Sequence, residues 1–72
     1  MRKFNFSVIY IENDKLKHKQ IKAYSAAEAF EEWKMSFPNT VPLSAGLGTV
    51  NKEYWKTIKE HEEEIVKENN RR

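Results

Sequence analysis

Two sets of side chains alternate at the start of the chain, large apolar and aromatic residues in one and a mixture of polar and apolar residues in the other. Phe4, Phe6, Val8 and Tyr10 stand against Asn5, Ser7, Ile9 and Ile11, and a period of two is that of a β-strand. Glu12-Asn13-Asp14-Lys15 follows, with Asn13 and Asp14 suited to the positive φ of a tight hairpin turn. A second extended run covers Leu16 to Tyr24. With Asn13-Asp14 as a two-residue loop, Glu12 faces Lys15. That register sets Phe6 opposite Ile21 and Phe4 opposite Ala23 on one face. The other face receives Ile11 opposite Leu16, Ile9 opposite His18 and Asn5 opposite Lys22. The alternation of both runs agrees with this register, so the N-terminal third reads as a β-hairpin.

The period then changes. Ser25-Ala26-Ala27-Glu28 has the form of a capping box, in which the serine side chain accepts an early helical N–H and the glutamate reaches back. Ala26, Ala29, Phe30, Trp33 and Phe37 make one apolar stripe at helical spacing. Phe37-Pro38 ends it, because the residue before a proline is driven out of the α region. Residues 39–50 are rich in turn formers but carry Val41, Leu43, Leu47 and Val50, which predicts a connector packed onto the core. Asn51 or Thr49 caps a last helix over about 52–68, with Tyr54, Trp55, Ile58, Ile65 and Val66 on its apolar face. Glu62 interrupts that face, so the helix is expected to be buried over its first two turns and exposed beyond them. Residues 69–72 read as a polar tail. The expected order is ββαα: one α+β domain over residues 1–68, its N-terminal hairpin packed on one amphipathic helix and followed by a packed connector and a second C-terminal helix.

At 72 residues the domain is small. Such a chain buries only about 60% of the surface that its unfolded form exposes, and no cysteine is present to staple it. The formal net charge of +2 is too mild to impose a partner. Its distribution says more. Residues 1–24 hold six basic and two acidic side chains, whereas 25–50 are net acidic and 51–72 balanced. Met1-Arg2-Lys3 before an apolar run has the look of a signal peptide, but Asn5 and Ser7 interrupt the run and Glu12 ends it. No stretch approaches the roughly 20 apolar residues of a membrane span. These features, with the absence of cysteine, lead to the expectation of a cytoplasmic protein without membrane attachment.

Candidate chemistry is sparse. His18 and His61 are the only side chains that ordinarily titrate near neutrality, and neither is flanked by a nucleophile motif. Consecutive glutamates at 62–64 point around a helix and do not converge on one atom. His61 and Glu64 share a helical face but lack the spacing of a zinc or calcium site. Gly46-Leu47-Gly48-Thr49 precedes a helix yet lacks the Gly-Lys-Ser/Thr of a phosphate loop. The sequence therefore predicts no catalytic residue, no metal site, no cofactor and no enzymatic activity.

What remains is surface. Ile9, Ile11, His18, Lys22 and Tyr24 fall on the hairpin face turned away from the first helix, and an apolar patch rimmed by lysines is the expected mark of an interaction site. The leading expectation is a protein-binding module, an adaptor or an inhibitor of the type mobile elements encode, acting by occupying a surface on another macromolecule. The alternative is nucleic-acid binding by the basic hairpin through Lys3, Lys15, Lys17, Lys19 and Lys22, with a base stacked on Tyr24. A homodimer that buries the outer faces is the third reading.

Overall fold

A computed structural model describes residues 2–71. The elements are β1 (Phe4–Glu12), β2 (Lys15–Ala23), α1 (Ala26–Ser36), β3 (Val41–Leu47), α2 (Lys52–Glu60) and α3 (Glu62–Asn70). The three strands form one antiparallel sheet in the order β2-β1-β3. The class is α+β, with the N-terminal hairpin packed on a helix as its pattern requires.

The hairpin has the register set by its turn. Glu12 pairs with Lys15, Ile9 with His18 and Phe4 with Ala23, and Asn13 and Asp14 take φ of 52° and 61°. Both residues tolerate the left-handed region because their short polar side chains bond locally. Ser25 caps α1 by accepting the Glu28 N–H at 3.1 Å. The Glu28 carboxylate reaches one residue past the cap, to the Tyr24 N–H at 3.4 Å.

α1 covers one face. Phe6, Ala23 and Ala29 pack together, and Val8 and Tyr10 pack with Trp33. Ala26, expected on the stripe, is exposed, and Phe30 and Phe37 are half-buried. Trp33 is 1% exposed and holds the layer together. Its ring lies between those of Tyr10 and Phe37, at centroid distances of 4.6 and 4.3 Å. Its indole N–H donates to Thr40 Oγ1 at 2.9 Å, and Thr40 in turn donates to the Phe37 carbonyl. A buried indole thus finds its partner in the turn that launches β3.

Two expectations are corrected here. The segment read as a connector is a strand, and of the four apolar residues expected to pack down only Val50 meets the core, whereas Val41, Leu43 and Leu47 are exposed. Ala45 takes the inward position instead, beside Val8 and beneath α1. The last helix is two helices bent at His61, and the second reaches Asn70 in place of a tail from residue 69. The bend returns Ile65 and Val66 to the sheet, so the expected pattern is reversed: no residue of the first half is buried, Trp55 and Ile58 being half-buried, and Val66 in the second half is buried.

Glu62 fixes the bend. Its carboxylate accepts the Leu16 N–H at 2.7 Å and the Lys59 ammonium at 2.6 Å, and Lys59 Nζ lies 3.5 Å from the Leu16 carbonyl. The Lys59 hydrogen bond first, and the Leu16 N–H second, hold the Glu62 carboxyl below its usual range. A group with a depressed folded pKa stabilises the fold above its unfolded pKa, and that contribution is lost as pH falls through the folded value. Thermal melts from neutral pH down to about pH 3 should therefore show a steeper loss of Tm in the parent chain than in Glu62→Gln, with the variant less stable at pH 7. Leu16 itself is 2% exposed. Leu16→Ala should cost about 2–5 kcal/mol in urea unfolding, a large share of the roughly 4–11 kcal/mol available to a domain of this size.

Candidate functional site

The outer face of the hairpin is closed by the chain itself. Ile9, Ile11 and Leu16 are buried with Val66, and Val50, Trp55, Ile58 and Ile65 pack around them. Ile9 and Ile11 are thus core residues and are removed from the expected contact face. The other three members stay at the surface but are dispersed. His18 meets Trp55 edge-on at 4.5 Å between centroids. Lys22 is exposed farther along β2, and Tyr24, past the strand end, carries the Lys3 ammonium 5.4 Å from its ring centre.

The basic hairpin is likewise divided. Lys17 and Lys19 project with Ile21 toward the α1 layer. There Lys17 pairs with Glu12 at 2.9 Å, which raises its ammonium above the usual lysine value through that hydrogen bond, and Lys19 lies over the Phe37 ring. Lys15 stands beside Glu62 and Glu63 at the start of α3. Lys3 and Lys22 alone of the five stay with the outer row. The two histidines are apart, His61 standing 3.9 Å from Glu64. Among the described residues no group of three or more His, Cys, Asp or Glu side chains is placed to hold a metal. No helix of the described residues is long and apolar enough to cross a membrane.

The surface that the sequence reading missed is the other sheet edge. From Met35 to Asn51, seventeen residues in succession carry no ionisable side chain, in a chain that is 33% charged. β3 lies inside that stretch and forms a free edge. The Gly48 N–H bonds to the Asn5 carbonyl at 2.9 Å, which fixes the alternation of the ladder. Ser44 and Gly46 therefore turn their backbone groups to β1, and Ala45 and Leu47 turn theirs outward. Leu47 is 71% exposed, and Leu43 and Tyr54 are exposed with it. A trough of about 270 Å³ runs beside the strand, walled by Ser44, Gly46, Leu47, Asn51 and Tyr54. At the N-terminal end Pro42 and a bulge opposite Ile9 and Tyr10 blunt the edge. Among the described residues nothing pairs with the outward side of the stretch from Ser44 to Leu47.

The two edges differ in kind. β2 presents Lys15, Lys17, Lys19 and Lys22, and its Leu16 backbone is closed by Glu62 and Lys59. Charge on an edge strand deters unwanted pairing. β3 has no such guard over Ser44–Leu47. A period-two signal was present in Val41, Leu43, Ala45 and Leu47, but Pro42, Gly46 and Gly48 between them read as turn formers. No protein-family model matches the chain, and neither a curated protein nor a solved structure shows significant similarity to it.

Proposed function

We propose that this chain is a non-enzymatic protein-binding module, an adaptor or inhibitor that adds an extended, uncharged segment of its partner to the β3 edge. The observation that carries the reading is the open edge from Ser44 to Leu47 within seventeen uncharged residues. Strand addition draws affinity from main-chain hydrogen bonds and selectivity from the side-chain positions alongside. Ala45 and Leu47 supply the outward backbone groups. Leu47, Leu43 and Tyr54 supply exposed apolar surface on either side. An edge without charge favours a segment without charge, because an ionised side chain laid against it loses hydration and gains no counter-charge. Adaptor and inhibitor act alike here, by occupying the partner's strand.

Leu47→Lys tests the reading, since a residue so exposed accepts a lysine without disturbing the core. In nuclease-treated lysate the parent chain should retain a specific polypeptide that Leu47→Lys loses, while Lys17→Glu/Lys19→Glu retains it. All three should give the same far-ultraviolet circular dichroism. Equal capture by Leu47→Lys overturns the proposal. So does light scattering that shows the pure chain to be a dimer disrupted by Leu47→Lys, because a second copy then fills the edge.

A further inference from the structure

A second arrangement lies along β2 and the flank of α2 turned toward it, with the start of α2 shared between it and the β3 trough. Along the outer face of β2 the row Leu16, His18, Gln20, Lys22 emerges from beneath the bend between α2 and α3 and leads toward Tyr24. α2 brings further cations to this row. Lys59 reaches the Leu16 carbonyl at 3.5 Å and stands 6.0 Å from the Trp55 ring centre, so the flank of α2 that bears Lys59 faces β2. Lys52, Lys56 and Lys59 follow one another at i+4 and i+3 and share that flank. Among the described residues, Lys22, Lys52 and Lys56 have no carboxylate within ion-pair distance, in contrast to Lys17, Lys34, Lys59 and Lys67.

Aromatic rings mark both ends of the row. Trp55 and His18 meet edge-on at one end, with Lys59 beside them. Tyr24 lies at the other, with Lys3 over its ring. Six residue steps lead from His18 to Tyr24, just past the end of β2, about 20 Å at 3.3 Å per residue, a length suited to the roughly four nucleotides at the short end of single-strand sites. Cations along a track and aromatic faces at its ends are the two parts of single-strand recognition: phosphates take the charge and unpaired bases take the rings. Tyr24 and His18 are exposed and Trp55 is half-buried, and side chains so placed reach only bases already free of a partner strand.

We infer that this β2–α2 face binds single-stranded nucleic acid, with phosphates on Lys22, Lys52 and Lys56 and bases against Tyr24 and the Trp55–His18 pair. Fluorescence anisotropy with a labelled oligothymidine of about 12 nucleotides tests it, beginning near 50 mM salt. Three neutralised phosphates predict a slope of about −2 in log K against log salt, at ~0.7 per phosphate. Lys52→Glu/Lys56→Glu should weaken binding at least about tenfold and flatten the slope to about −0.7. Tyr24→Ala, which leaves the charge unchanged, should weaken binding about tenfold through lost stacking with little change in slope. Leu47→Lys should bind at least as well as the parent, which separates this site from the β3 edge. Absence of binding at low salt overturns the inference, as does unchanged binding by folded Lys52→Glu/Lys56→Glu. Equal affinity for the duplex of the same length, or an equal loss in Lys17→Glu/Lys19→Glu on the far face, overturns it too.

Discussion

Everything in this molecule is built around a strand that has no free side. β1 pairs with β2 on one edge and β3 on the other, and it is covered by α1 on one face and by α2 and α3 on the opposite face. Six residues in succession, Phe6 to Ile11, are buried as a result. That burial sets the demands on the rest of the chain. Phe6, Val8 and Tyr10 require a helix close by, which the small Ala29 permits, and Trp33 fills the space beyond. Ile9 and Ile11 require a second cover, which forces the C-terminal segment across the sheet. Ser7, the one polar residue in the run, is satisfied by donating to the Gly48 carbonyl, so a buried hydroxyl ties the end of β3 to the centre of the sheet.

The second cover joins a charge-assisted contact to burial that comes mostly from the sheet side, through Ile9, Ile11 and Leu16. α2 has no buried residue, and α3 has only Val66. The docking of this V-shaped pair rests on half-buried side chains and on Glu62, which satisfies a backbone N–H at the β2 edge while neutralised by Lys59. Exposed ion pairs elsewhere in the chain join side chains that water already solvates, and pairs of that kind contribute little. The Glu62 contact differs because it reaches backbone. It caps the β2 edge at Leu16 and places the two covering helices in the same stroke.

The hairpin and α1 were legible in the sequence because their signals are local: alternation, a two-residue Asn-Asp loop, and a cap four residues before the stripe continues. Every hairpin pair follows from the loop length alone. β3 was not legible, because glycine and proline carry turn and edge-strand meanings alike, and only the pairing with β1 decides between them. The bend at His61 was half legible. Glu62 stood out as a polar residue on an apolar face, but its partner, the Leu16 N–H, lies 46 positions away. The candidate face failed at Ile9 and Ile11 for a related reason. Their exposure depended on where a distant helix lands, and periodicity within the hairpin holds no record of that.

The uneven division of buried groups also orders how the molecule comes apart. α1 buries Ala29 and Trp33 of its own, whereas α2 contributes no buried residue and α3 only Val66, so the cover meets the buried Ile9, Ile11 and Leu16 largely with half-buried side chains. Segments with few buried apolar contacts open at lower free energy than the whole fold. The cover should therefore lift from the sheet while the hairpin and α1 remain joined, and amide hydrogens in α2 and α3 should exchange ahead of those in β1. Each layer holds one tryptophan, Trp33 within the inner packing and Trp55 beneath the cover. The chain thus carries a separate optical reporter for each of its two layers.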